Sequence, residues 1–137
     1  MKKEILATLL AVGVLSGCTS LTHAEKSQLS MLKHNGITVD KPVGNFEKPA
    51  SPLTAGLLNI LPGVGNFYLS AGDGGDGDHV LYGLLNLLTW PISVLWGIPE
   101  AAIDAGTINE REMLYYYHYD KYGKAEMKKL NLDLSDI

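Results

Sequence analysis

Apolar and polar residues are grouped in blocks along this chain, and the blocks predict its helices. Residues 5–15 form a short apolar run, and a polar block follows. Two uncharged stretches come next, Pro49 to Gly72 and Val80 to Pro99, with an acidic glycine-rich loop between them. The remaining residues are polar again and rich in tyrosine. This distribution predicts an all-α fold, with apolar helices between an N-terminal polar segment and a C-terminal helix.

The first polar block predicts a short helix and a linker. Residues 19–35 have sparse apolar positions, Ser20 or Thr22 can cap a helix start, and Asn35-Gly36 is a typical stop. Residues 37–52 contain three prolines and show no apolar period, which predicts an extended linker lying against the domain.

The two uncharged stretches predict a broken apolar helical hairpin. Pro62 and the glycines beside it should interrupt any helix near the middle of the first stretch. The second stretch is about 20 residues long, enough for a straight helix to cross a hydrocarbon core, but Pro91 favours a kink within it. The loop 72–79 joins the two.

Two helix starts are predicted after the hairpin. Pro99-Glu100 places a proline and an acid in a first turn. Thr107 and Glu110 fit a capping box, which predicts a last helix beginning just after Thr107 and running to about Leu130. The acidic tail is expected to be loose. The last helix holds a cluster of tyrosines, namely Tyr115, Tyr116, Tyr117, Tyr119 and Tyr122.

The start of the chain resembles the signal peptide of bacterial lipoproteins. Lys2 and Lys3 precede the apolar run, which at about 11 residues is too short to span a bilayer. Leu15-Ser16-Gly17-Cys18 is similar to the lipobox of that family. The resemblance implies a diacylglycerol on the Cys18 sulfur and cleavage before Cys18. The alternative is an ordinary secretory signal with a chance cysteine.

Lipidation of Cys18 would determine where the protein resides. Cys18 is the only cysteine, so no disulfide can form within the chain. Two or three acyl chains make a stable anchor. By resemblance to enterobacterial sorting, Thr19 favours the outer membrane, facing the periplasm. Residues 1–17 are therefore expected to be a removed signal, and residues 18–52 a lipidated N-terminus with a helix and linker.

Residues 53–106 resemble the TM2 domain, a family with paired hydrophobic helices. The motif Pro62-Gly63-x-Gly65-x-Phe67-Tyr68-Leu69 closes the first apolar segment. Gly83-Leu84-Leu85-Asn86-Leu87-Leu88, followed by Trp90, Trp96 and Asp104, fits the second. The chain departs from the family in its longer turn, which carries three aspartates, and in Pro91. The resemblance implies an architecture and not an enzymatic reaction. Residues 107–137 are expected to form a C-terminal helix and an acidic tail.

Charge and candidate ligands exclude several function classes. The chain carries 11 basic and 15 acidic residues, a formal net charge of −4, with no basic run that could follow a nucleic acid. Asp73, Asp76 and Asp78 invite a calcium site, but no glutamate closes the loop, and a solvated turn is favoured. The histidines, 23, 34, 79 and 118, show no metal-ligand spacing.

No catalytic constellation is visible in the sequence. Glu100 and Asp104 lie four residues apart on one helix face, and capping and solvent roles account for them better than general acid–base catalysis. We therefore expect no enzyme, no metal and no cofactor.

Two features leave alternatives open. The tyrosine cluster can form a binding surface or a platform at the lipid–water boundary, or it can pack against the hairpin. Ser93, Gly97, Ala101 and Ala105 place a small residue at every fourth position, which permits close helix approach within the chain or between copies.

The sequence therefore predicts a lipidated tether, a broken apolar hairpin and a tyrosine-rich C-terminal helix. The expected role is that of a membrane-anchored envelope lipoprotein with a structural or protein-interaction function. Membrane lipids bound through Cys18, a second copy of the chain or an envelope protein are the expected partners. The alternative is a binding module that shelters a lipid or other apolar ligand for envelope transport or assembly. The acidic loop predicts a hairpin that does not span, because cytoplasmic loops are normally rich in lysine and arginine.

Overall fold

The described part of the chain is α-helical and falls into a polar half and an apolar half. A computed structural model describes residues 20–61, 63–72 and 77–134, and these residues form helices joined by turns, with one isolated β-bridge. The all-α prediction is confirmed. The helices are α1 (His23–His34), α2 (Pro52–Leu58), α3 (Val64–Ala71), α4 (Asp78–Leu88), α5 (Val94–Tyr119) and α6 (Lys121–Lys129).

Helix α1 begins and ends where its local sequence predicts. The Thr22 side chain accepts from the Glu25 backbone N–H at 3.2 Å, and the Glu25 carboxylate accepts from the Thr22 N–H at 2.6 Å, which completes a capping box. Asn35 forms the C-cap, and Gly36 follows it with φ +77°. The linker after α1 contains no helix, as predicted, and a tight turn brings Thr38 and Lys41 together in the isolated β-bridge.

The break between α2 and α3 also confirms the sequence prediction. Helix α2 ends at Leu58 and α3 begins at Val64, on either side of the proline–glycine pair. Gly63 has φ +81°, and a Cβ on it would lie 2.1 Å from the Gly83 carbonyl oxygen. Only glycine fits this turn, because the turn packs directly on the backbone of α4.

Helix α5 is longer than the sequence predicts and runs through both halves. It is one helix of 26 residues, with Pro99 inside it and Thr107 in its middle. The predicted helix starts at Pro99-Glu100 and after Thr107 are therefore wrong. Packing overrides both local signals, because α1, α2 and α3 all contact this helix. The Thr107 hydroxyl donates to the Ile103 carbonyl one turn back and caps nothing.

Other ends in the second half of the chain also differ from prediction. Pro91 does not kink a helix; it lies in the turn between α4 and α5, after a cis peptide bond from Trp90. The last helix breaks at Asp120, whose carboxylate accepts from two backbone N–H groups at the start of α6. The tail is not loose up to Leu134, which is buried and whose carbonyl accepts from the Gln28 amide.

Each half has its own buried cluster. The polar half contains α1, the linker, the C-terminal part of α5, α6 and the tail. Its buried core comprises Leu21, Leu29, Leu32, Ile37, Met113, Leu114, Tyr117, Met127 and Leu134. The apolar half contains α2, α3, α4 and the N-terminal part of α5. Its buried core comprises Ala50, Ala55, Leu69, Ala101, Ala105 and Ile108.

Side chains of α5 hold the linker against the helix. The Tyr117 hydroxyl accepts from the Val43 N–H at 2.7 Å and donates to the Val43 carbonyl at 3.0 Å. The Asn109 amide makes the same pair of contacts to Ala50, at 2.9 and 2.7 Å. The linker therefore runs along α5 and delivers the chain to the start of α2.

Candidate functional site

The apolar half has an inverted distribution of side chains. Large aliphatic and aromatic side chains on its helices face outward, and its polar side chains face inward. Leu88 and Leu95 are each 80% exposed. The other exposed large apolar residues of this half are Leu53, Leu57, Ile60, Leu61, Val80, Leu81, Leu84, Leu85, Leu87, Trp90, Ile92 and Ile103. The polar side chains buried in this half are those of Asn59, Asn66, His79, Asn86, Ser93 and Asp104.

The buried asparagines close the turns at one end of this half. We call this end the tip, and it consists of residues 59–61 with Gly63 and residues 89–93. The Asn59 amide donates to the Gly97 carbonyl at 2.5 Å, and its oxygen accepts from the Gly65 N–H at 2.9 Å. Asn59 is 1% exposed. One side chain therefore satisfies backbone groups of α3 and α5, where the chain turns.

The second turn of the tip is closed in the same way. The Ser93 hydroxyl donates to the Asn86 carbonyl at 2.6 Å, and the Trp96 indole N–H donates to the Asn86 side-chain oxygen at 2.9 Å. The Thr89 hydroxyl donates to the Leu85 carbonyl at 2.8 Å. Because these polar groups bond to one another, leucine, isoleucine and tryptophan side chains form the exterior of the tip.

The acidic side chains on the N-terminal part of α5 are Glu100 and Asp104, and Asp104 lies at the other end of the apolar half, next to the polar half. Asp104 is fully buried, and its carboxylate lies 3.7 Å from Nδ1 of the buried His79. Glu100 lies one turn from Asp104 on α5. Burial, reinforced by the neighbouring Asp104 carboxylate, raises the pKa of Glu100 to about 7, although a hydrogen bond from the Asn86 side chain opposes the shift. Because Asp104 is fully buried, the solvent-exposed role expected for it is wrong.

The small-residue ladder is used within the chain. Ser93, Gly97, Ala101 and Ala105 are all buried. A Cβ on Gly97 would lie 3.0 Å from the Asn59 amide nitrogen. The ladder therefore accommodates the other helices of the same hairpin.

The tyrosine cluster divides between packing and exposure. Tyr117 is buried in the core of the polar half, and Tyr116 packs on it with ring centroids 5.1 Å apart. Tyr115, Tyr119 and Tyr122 are exposed, and the rings of the first two lie 5.6 Å apart. Tyr116 and Tyr117 therefore pack in the polar half, whereas the expected packing was against the apolar hairpin, and a binding or membrane-surface role for the exposed tyrosines stays a prediction.

Several residues singled out in the sequence lie outside the described part of the chain. These are Leu15, Ser16, Gly17 and Cys18 of the lipobox, and Asp73 and Asp76 of the acidic loop. Asp78 begins α4. Within residues 20–61, 63–72 and 77–134, no group of three or more histidine, cysteine or carboxylate side chains is arranged to hold a metal ion.

Sequence reasoning missed the hydrogen-bonding roles of Asn59, Asn86 and Ser93. Each is an isolated polar residue in an otherwise apolar run, and this isolation is the sequence signal for a buried polar role. Their partners are distant in sequence, so the pattern alone could not show what they bind. The helices in the described ranges include none that is both long enough and apolar enough to cross a membrane.

Comparison with known proteins adds no family assignment. No protein-family model matches the chain. No curated protein is significantly similar to it in sequence. No solved structure is significantly similar to it. The resemblances to the lipobox and to the TM2 domain therefore remain predictions.

Proposed function

We propose that this protein is a lipid-anchored protein of the bacterial cell envelope with a structural or protein-interaction role. The observation that carries the proposal is the inverted apolar half, in which large apolar side chains cover the outside, while six polar side chains are buried beside a core of mostly small apolar residues. Exposing apolar surface to water costs about 25 cal/mol per Å². A large contiguous apolar surface on a small protein is typical of contact with a membrane or a partner.

The N-terminal sequence supports the same function independently. A lipobox ending at Cys18 would place the mature chain on an envelope membrane through its acyl chains. The polar half, with its own core and its exposed tyrosines, would then be available to partners. Tyrosine is enriched in protein interfaces, because its ring gives apolar contact area and its hydroxyl a hydrogen bond.

The test is acylation and fractionation of the full chain in bacterial cells. The parent should incorporate a palmitate analogue and sediment with membranes. Cys18→Ala should lose the label and accumulate as a longer, uncleaved precursor. Equal labelling of Cys18→Ala and the parent, or a parent that stays in the soluble fraction, would contradict the proposal.

A further inference from the structure

We propose that the tip enters the same membrane leaflet that holds the acylated Cys18 and ends within it, as a second, non-spanning membrane contact. The inference rests on the proposed function and names the partner of the apolar surface, which is the hydrocarbon of a single leaflet.

The dimensions of the apolar half match one leaflet. Helices α2, α3 and α4 have 7, 8 and 11 residues, which at 1.5 Å per residue gives lengths of about 10, 12 and 16 Å. The part of α5 from Ser93 to Asp104 is about 16 Å long on the same rise. The hydrocarbon core of a bilayer is about 30 Å thick, so one leaflet supplies about 15 Å.

The turns of the tip meet the requirement that lipid places on a polypeptide backbone. Hydrocarbon offers no hydrogen bonds, so a turn at that depth must satisfy its backbone groups from within the protein. Asn59 does this for the first turn through Gly65 and Gly97, and Ser93 does it for the carbonyl of Asn86. A turn surrounded by water needs no such arrangement, because water can bond the same groups.

The connection between α3 and α4 starts and ends at the polar half. Helix α3 begins beside Asn59 at the tip and runs towards the polar half, where the Tyr68 hydroxyl accepts from the Ser51 N–H at 3.3 Å. Helix α4 starts at Asp78, next to the His79 that faces Asp104, and descends to the tip. The described ends of these two helices, which flank the acidic segment, therefore both lie at the boundary.

Ser20, two residues after the predicted lipidation site, lies near the same boundary. The Arg111 guanidinium donates to the Ser20 carbonyl at 2.9 Å. Cys18 is two residues before Ser20, a distance of at most about 7 Å along the chain. Arg111 is seven residues above Asp104 on α5, or about 10 Å. The acyl chains and the tip can therefore enter one leaflet together.

Lipid fits this surface better than a second copy of the chain does. The exposed apolar side chains cover one broad face of α4, which includes Leu81, Leu84 and Leu87, and they continue onto α2 and α5. A two-fold dimer covers one self-complementary patch, whereas hydrocarbon covers all sides. The segment 49–110 has no lysine or arginine, so insertion should not require anionic lipid.

The two tryptophans of the chain, Trp90 and Trp96, allow a direct depth measurement. The purified, acylated full chain is placed in phosphatidylcholine vesicles that carry a quencher either near the headgroup or deep in the acyl chain. Deep quencher should reduce the fluorescence more than shallow quencher. Adding phosphatidylglycerol should leave this preference unchanged. Leu95→Lys should abolish the preference, and the control Leu130→Lys, in the polar half, should keep it.

A topology measurement completes the test. Gly77→Cys introduces a thiol at an exposed position where a new Cβ has no atom within 4 Å, and Cys18 is blocked by acylation. A membrane-impermeant maleimide should label it in cells with a permeabilised outer and an intact inner membrane. Labelling only after the inner membrane is broken means a spanning hairpin and overturns the inference.

The outcomes separate this inference from the proposed function. An acylated, membrane-bound protein whose tryptophans escape the deep quencher overturns the second contact and leaves the anchor intact. Quenching that falls as protein concentration rises, together with crosslinked dimers, assigns the surface to a second copy and also overturns the inference. A deep preference that appears only with anionic lipid overturns it as well. Absence of palmitate label contradicts the proposed function on its own measurement.

Discussion

Replacing Asn109 tests the contact that ties the linker to α5. The Asn109 amide bonds both the N–H and the carbonyl of Ala50, and the two residues are 1% and 8% exposed. Asn109→Ala removes both bonds and leaves two backbone groups without partners in a buried site. Because Ala50 leads directly into α2, the contact also determines where the apolar half starts on α5.

The expected loss follows from the cost of unpaired buried groups. Each such group costs about 1–3 kcal/mol, and limited access of water to Ala50 lowers the sum. We therefore expect Asn109→Ala to reduce the free energy of unfolding by about 2–4 kcal/mol, a large share of the roughly 5–15 kcal/mol typical of a small domain. Urea unfolding in a fixed detergent, followed by far-ultraviolet circular dichroism, gives this value from the midpoint and slope.

A second variant at Asn109 separates hydrogen bonding from packing. Asn109→Asp keeps the acceptor for the Ala50 N–H, but an ionised carboxylate cannot donate to the Ala50 carbonyl. Burial and that carbonyl should raise the pKa of the new aspartate in the folded state above its unfolded value. The variant should therefore be most stable at low pH, where it is protonated, and lose stability as pH rises through the folded pKa.

The control is Asn45→Ala, an exposed asparagine on the same linker. It should change stability by less than about 0.5 kcal/mol. The reasoning is refuted if Asn109→Ala falls within the same range as Asn45→Ala, or if Asn109→Asp shows the pH dependence of the parent.

Three further predictions use the same unfolding measurement. Gly106→Ala, where a Cβ meets no atom within 4 Å, should stabilise the protein by about 0.5–1 kcal/mol. Gly123→Ala places a Cβ 2.2 Å from the Tyr116 carbonyl oxygen and should lower the free energy of unfolding by about 1–3 kcal/mol. Similar effects of Gly106→Ala and Gly123→Ala would contradict the close packing at Gly123. Thr22→Ala should cost about 1 kcal/mol, from the lost cap. Because the pKa of Glu100 is raised from 4.5 to about 7, the parent should lose stability as pH rises from 4.5 to 7. Glu100→Gln should remove this loss, and the stability of the variant should match that of the parent at low pH.

Local signals predict the elements whose determinants lie within a few residues. Helix α1 is such a case, because Thr22 and Glu25 make the capping box that their spacing predicts. The interruption at Gly63 is another, because proline and glycine act on their own backbone. The all-α class follows from the same local patterns.

Contacts between distant residues explain what the sequence could not show. Pro99 lacks an N–H and would normally begin a helix, but the contacts of α2 and α3 with α5 keep this helix continuous. Asn59 bonds the Gly97 carbonyl, 38 residues away. The capping pattern of Thr107 competes with the same packing and fails. A proline inside a helix costs about 3 kcal/mol and an unused cap about 1 kcal/mol, and burial along α5 outweighs both.

The continuity of α5 has a consequence for how an anchored protein would be oriented. An acyl anchor alone holds a domain through a flexible segment, which leaves its height and direction free. With the tip in lipid, α5 would connect the leaflet to the polar half as one helix. Fifteen residues separate Asp104 at the boundary from the exposed Tyr119, about 22 Å on the rise of an α-helix. The exposed tyrosines would then face a partner at a fixed height above the membrane, and this positioning would require Asn59 and Asn86 to hold the tip together as much as it requires Cys18 to carry lipid.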